Sequence, residues 1–142
     1  MLDKTSDIAI AAEGWLAEFE AALAALDDGA LKKLFHPDSH WRDALALSWT
    51  LQTIDGRGDI LKALKAQAPS VAPSGFAIDP DRAAPRKVMR AGTDCIEAIF
   101  KFETKLGRGD GIIRLIPDTD DGNRLKAWTL LTALEELKGF EE

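Results

Sequence analysis

The chain has 142 residues, 46% of them hydrophobic and 30% charged, with a net charge of −6 and a pI near 5.0. Such a length suits one domain with its own core and such a composition excludes disorder. Nucleic-acid binding is not expected of so acidic a chain, because phosphate neutralisation calls for a basic face. The patch of Arg82, Arg86, Lys87 and Arg90 reads as a solvated loop and strand edge.

Cys95 is the only cysteine, so no internal disulfide forms, which fits a reducing compartment. Its apolar neighbours mark it as a small buried side chain rather than a nucleophile. Met1 to Asp7 holds no apolar signal core. No apolar run nears the roughly 20 residues that span a bilayer, so no membrane partner is expected and the cytoplasm is the default location.

Ile8, Ala12, Trp15, Phe19, Ala22, Leu23 and Leu26 recur at spacings of three and four. That pattern predicts a helix from about Ser6 to Asp27 with one buried face. Thr5, Ser6 and Asp7 offer caps, and Gly29 offers a positive φ to end it. A short second helix buries Leu31, Leu34 and Phe35 and stops at Pro37. From His40 to Thr53 the period changes to that of a strand, bent or broken near Ala44-Leu45. Asp55 to Gly58 is turn chemistry, and a third helix runs from about Arg57 to Ala68.

Beyond the Pro69–Pro73 loop the chain reads as β structure. Short strands fall at Phe76–Ile78 and Lys87–Arg90. Thr93 to Leu106 alternates, with Ile96, Ala98, Phe100, Phe102 and Thr104 facing one way. Gly111 to Ile116 and Leu125 to Leu134 follow, joined by an Asp118–Asn123 hairpin loop. Glu135 to Glu142 reads as a strand tail or a linker stub. Helices first and strands last predict an α+β domain, spanning 1–142, with helices on one face of a largely antiparallel sheet.

Several motifs carry less than they suggest. Gly107-Arg108-Gly109-Asp110-Gly111 is followed by a strand rather than the helix a phosphate loop needs, so its glycines permit a bend or bulge. The twice-occurring Arg-Gly-Asp is too short to signal anything. Counting from Asp118, a calcium loop would need glutamate at the twelfth place, where Thr129 stands. His36, Asp38 and His40 have no distant histidine to complete an iron site, and zinc is equally ill supplied. No metal or other cofactor is expected, and no G-x-S-x-G elbow is present.

What remains is an aromatic set with a carboxylate inside it. Trp15, Phe19, Trp41, Trp49, Phe100, Phe102 and Trp128 fall on inner or half-buried surfaces, where they build core or line a ligand pocket. Asp43 follows Trp41 at strand period, so both face one way. Its reading stays open between a desolvated proton acceptor and a salt bridge to Arg42 or Arg57.

The order of elements, with Trp15–Leu26, Leu31–Asp38, His40-Trp41-Arg42-Asp43 and Ile54–Ile60, resembles the nuclear transport factor 2-like superfamily and its SnoaL-like branch. The resemblance covers about Glu13 to Leu137. It implies a cone in which three helices and a strongly curved, mixed, mostly antiparallel sheet enclose a pocket, and a homodimer formed through the outer sheet face is expected. Trp41-Arg42-Asp43, Gly107-Arg108-Gly109, Arg114–Pro117 and Ala127–Gly139 look like the N-terminal domain placed ahead of some bacterial flavin-containing monooxygenases. That implies a ligand-binding or accessory dimerisation domain acting beside a flavin module. Without a flavin fingerprint of its own, it would be an excised domain or a free-standing relative.

The superfamily's ketosteroid isomerase-like enzymes carry an aspartate base at the position of Asp43. Resemblance to them, or to polyketide cyclases, implies a cofactor-independent enzyme as the alternative. Those isomerases stabilise the enolate with a tyrosine and a protonated aspartate. This chain has no tyrosine, and the loss of one such donor typically costs about 100- to 1,000-fold in rate.

Overall fold

The computed structural model describes residues 5–48 and 50–138. Helix α1 spans Thr5–Ala25 and buries Ile8, Ala12, Trp15, Leu16, Phe19, Ala22 and Leu23. The helix stops sooner than the apolar spacing implies. Leu26 takes a left-handed conformation (φ 51°) and stands exposed, and Asp27 then caps α2 (Asp28–Leu34) by accepting from Ala30 N at 3.1 Å. Gly29 therefore lies inside α2 and ends nothing.

Strand β1 (Phe35–Ala44) starts directly after α2, so Pro37 falls within a strand instead of closing a helix. The position tolerates proline because pairing with β7 skips from Phe35 to His40, leaving an irregular stretch where no ladder N–H is required. Strand β2 (Leu51–Asp55) returns antiparallel to β1. The break expected near Ala44-Leu45 is a left-handed Leu45 with φ of 64°. Gly56, at φ 92°, opens α3 (Arg57–Val71), which runs through Pro69 to a left-handed Ala72. A proline in the last turn removes only one bond of a ladder that is already ending.

The remaining strands are β3 (Ser74–Ile78), β4 (Arg86–Arg90), β5 (Thr93–Glu103), β6 (Gly107–Asp118) and β7 (Arg124–Leu137). A short 3-10 turn, Thr119–Asp121, joins the last two. The sheet order is β2-β1-β7-β6-β5-β3, with β4 also paired to β5. Only β1 and β7 run parallel among these pairings. The helices cover one face, where Trp41, Ala98, Phe100, Ile113, Leu115 and Leu130 are buried with the α1 stripe. The result is an α+β cone with an open, curved, mixed sheet.

The other sheet face is laced by ion pairs. Glu97 on β5 accepts from Arg114 at 2.8 Å, Arg90 at 3.1 Å and Arg86 at 3.2 Å. Burial pushes its carboxyl up, but those three guanidiniums more than offset this and pull it down from 4.5 to about 2. A carboxyl that binds protons more weakly when folded adds stability above its unfolded value and loses it as pH falls. Stability is thus expected to drop by about 2 kcal/mol between pH 4.5 and 2, allowing for screening of the half-exposed arginines. Urea titrations of the wild type and Glu97→Gln across that window check this: the variant's curve should be flatter by that amount.

Candidate functional site

Asp43 lies at strand period from Trp41 and is wholly buried. Its carboxylate is surrounded by donors from its own chain. Just after β1 the backbone turns back, so that Leu47 N reaches both oxygens at 3.1 Å and Ser48 N reaches Oδ2 at 2.8 Å. Ser48 Oγ donates to Oδ2 at 2.6 Å, and Thr132 Oγ1 on β7 donates to Oδ1 at 2.6 Å. Trp41 Nε1 in turn donates to Thr132 Oγ1 at 2.9 Å. The residue pins residues 45–48 against the sheet, which buries Ala46 and Leu47. Neither Arg42 nor Arg57 reaches it: Arg57 donates to Phe35 O at 3.4 Å.

Four of the predicted aromatic positions, Trp15, Phe19, Phe100 and Phe102, gather in one cluster. Trp15 stacks on Phe19 with centroids 4.8 Å apart, and both meet Phe35 edge-on. Phe76, a residue that sequence spacing alone does not mark for this role, bridges Phe19 at 5.2 Å to Phe102 at 5.1 Å and Phe100 at 5.9 Å. Trp15 Nε1 donates to Leu34 O at 2.9 Å, so its polar end is satisfied inside the protein. Trp41 is buried beside Asp43. Trp128 is half-buried at a bulge between the pairs Arg114–Thr129 and Leu115–Ala127. Trp49 lies outside the described residues.

A hollow of about 570 Å³ opens beyond this cluster, where β4 to β7 approach the 3-10 turn. Ile96, Leu115, Leu125 and Pro117 give it apolar walls, and Lys87, Asp94 and Asn123 add polar groups. Cross-strand register explains the arrangement: Lys87 opposes Ile96, Ile96 opposes Leu115, and Pro117 opposes Leu125. Cys95 also borders the hollow, and burial pushes its thiol up, which leaves little reactive thiolate. The apolar alternation of these strands is visible in the sequence, but nothing there separates wall from packed core.

His36 Nδ1 accepts from Asp38 N at 3.1 Å, and the His40 ring sits 2.7 Å from Asp55 and 3.3 Å from Asp38. Among the described residues no group of three His, Cys, Asp or Glu side chains is placed to hold a metal ion, and no helix is long and apolar enough to cross a membrane.

No family model and no curated protein matches the sequence. Solved structures do resemble its fold. A protein of unknown function from Silicibacter pomeroyi, described as NTF-2 like, superposes with a TM-score of 0.66 at 12% identity, covering 93% of this chain and 99% of that one. A superfamily protein from Salmonella enterica serovar Typhimurium gives 0.61 at 12% identity, over 98% and 99%. A DUF4783 family protein from Bacteroides uniformis gives 0.57 at 9% identity, over 84% and 96%. With α1 roofing a mixed sheet in the order described, the chain has the nuclear transport factor 2-like fold.

Proposed function

We propose that the chain is a binding domain for a small, largely apolar molecule held at the open end of the cone. The observation that carries this reading is the hollow itself. Its volume of about 570 Å³ lies inside the range of about 300–1,000 Å³ usual for small-molecule sites, which are mostly apolar with a few placed polar groups. Ile96 and Leu115 supply a rigid wall because both are anchored in paired strands.

Catalysis by Asp43 has less support. A general base needs a lone pair within reach of the proton it takes. Both Asp43 oxygens already accept from Leu47, Ser48 or Thr132, and the residue does not border the hollow. The likeness of Ala127–Gly139 to leader domains of flavin-containing monooxygenases supports a ligand that is a substrate or product of such an enzyme.

The test is titration with N-phenyl-1-naphthylamine, an uncharged fluorescent probe, against the wild type and Leu125→Trp. Saturable binding is expected, weakened at least about 10-fold when the indole narrows the hollow, with the unfolding midpoint showing that the variant is folded. Absence of saturable binding, or equal affinity in both proteins, overturns the proposal.

A further inference from the structure

The face of the sheet turned away from the helices holds a second hollow, of about 280 Å³, whose lining includes His40, Arg42, Thr53, Ile112, Arg114, Thr129 and Leu131. Two adjacent cross-strand rows build it. One runs Asp55, His40, Thr129, Arg114, Glu97; the other runs Thr53, Arg42, Leu131, Ile112, Ile99. In the first row each basic group has a carboxylate beside it: His40 meets Asp55 and Arg114 meets Glu97. In the second row Arg42 has Thr53 on one side and Leu131 on the other, and no acid.

Arg42 is the exception among the arginines. Of the eight in the chain, six lie against a carboxylate and Arg57 donates to a carbonyl. The Arg42 side chain alone makes no hydrogen bond or ion pair among the described residues. No acidic side chain lines the hollow it borders, in a chain whose net charge is −6. Arg114 enters the same hollow, and only its Nε is engaged, by Glu97 at 2.8 Å. Adjacent strands lie about 4.8 Å apart and alternate residues about 6.8 Å apart, so the two Cα atoms sit about 12 Å from each other. That separation suits two extended guanidiniums closing on one ligand above Thr129 and Leu131.

We infer that this hollow is a binding site for a small organic carboxylate, distinct from the cavity inside the cone. Guanidinium forks match the planar carboxylate and can bind it bidentately. The Thr53 and Thr129 hydroxyls, neither of them hydrogen-bonded to the described residues, can donate to the same group. Ile112 and Leu131 form an apolar floor beside the charge, which favours an anion with an apolar body over a bare phosphate. The volume falls just below the usual lower bound of about 300 Å³ for drug-sized ligands, so the ligand carries one ring or a short chain rather than a polycycle.

Benzoate and inorganic phosphate serve as probes, each titrated by amide NMR and calorimetry into the wild type, Arg42→Gln and Leu131→Glu. Saturable benzoate binding is expected in the wild type, with shifts centred on residues 40–42, 112–114 and 129–131. It should weaken at least about 10-fold in Arg42→Gln and vanish in Leu131→Glu, while Leu125→Trp leaves it unchanged. That last arm separates this site from the interior one, so either proposal can fail alone. Because Arg42 is exposed, its unfolding midpoint should match the wild type. Benzoate bound equally by Arg42→Gln, or no benzoate binding at millimolar concentration, overturns the inference. So does phosphate binding as tightly as benzoate. Sedimentation provides the remaining arm: a dimer that Arg42→Gln dissociates would show that a second copy covers the hollow, and the small-carboxylate reading falls.

Discussion

Asp43→Ala is expected to destabilise the protein by about 4 kcal/mol. The estimate follows from what the substitution leaves behind. Leu47 N, Ser48 N, Ser48 Oγ and Thr132 Oγ1 all donate to this one wholly buried carboxylate. Hydrogen bonds to a charged group contribute about 1.5–3 kcal/mol each, and a buried donor stripped of its partner costs about 1–3 kcal/mol. The four are not additive, since Ser48 Oγ can turn towards Thr50 O at 3.3 Å and Thr132 Oγ1 still accepts from Trp41. A total near 4 kcal/mol is therefore well below the sum of the parts.

Asp43→Asn separates charge from shape. Its amide keeps one acceptor, but its NH2 group either faces the Ser48 N–H, an obligate donor, or makes the Thr132 hydroxyl switch from donating to accepting. A loss of about 2 kcal/mol is expected, intermediate between wild type and alanine. Urea unfolding of both variants, with Ser48→Ala and Thr132→Val as partners in double-mutant cycles, measures the network directly. A loss under 1 kcal/mol for Asp43→Ala would mean that the carboxylate does not hold Leu47 and Ser48 in place. The same measurement governs any assay of Asp43 as a base: activity lost in a variant this unstable says nothing about proton transfer until the folded fraction is known.

How far this arrangement is legible in the sequence differs from residue to residue. The inward side of α1 is legible because Ile8, Ala12, Trp15, Phe19, Ala22 and Leu23 keep a helical period, and all are buried. Leu26 continues that period yet is exposed, because Asp27 caps the next helix and forces a turn that hydrophobic spacing cannot register. The inward direction of Asp43 is legible from Trp41, two residues before it. Its partners are not. Ser48 reaches it only because Leu45 turns left-handed, and Thr132 lies 89 residues away on a parallel neighbour. Pairing between β1 and β7 is a long-range choice that no local pattern encodes.

The hollows were equally hidden, for a related reason. Large aromatic residues are the visible candidates for pocket walls, but rings of that size also stack well on one another, and here Phe76 links the α1 rings to those of β5. The space that remains is bordered by Ile96, Leu115 and Leu125, ordinary strand residues in sequence. Arg42 is likewise unremarkable until register shows that neither residue directly opposite it is acidic.

Gly111→Ala is expected to destabilise by about 3 kcal/mol, an effect the Gly-Arg-Gly-Asp-Gly stretch conceals. The sequence suggests a bend or bulge there, and a bulge does fall between Arg108 and Gly109 in the pairing with β7. The stronger constraint is steric. A Cβ on Gly111 would lie 2.5 Å from Phe100 Cζ and would collide with the backbone oxygen of Leu131. On Gly109 it would lie 2.5 Å from Phe102 Cζ and 2.6 Å from Ala133 O. Phe100 opposes Gly111 across the β5–β6 ladder, as Phe102 opposes Gly109, so each ring lies over the strand where a side chain would stand. A methyl group there must displace either a fully buried phenyl ring or a paired carbonyl, and overpacking of that kind costs about 1–3 kcal/mol, occasionally more. Gly111 should sit at the upper end because its nearest obstacle is backbone. Gly109→Ala should lose somewhat less, and Gly58→Ala, which meets nothing within 4 Å, should be neutral or slightly stabilising. Thermal unfolding of the three variants side by side gives the ranking, and equal midpoints for Gly111→Ala and Gly58→Ala would show that the phenyl rings do not rest on the glycine strand.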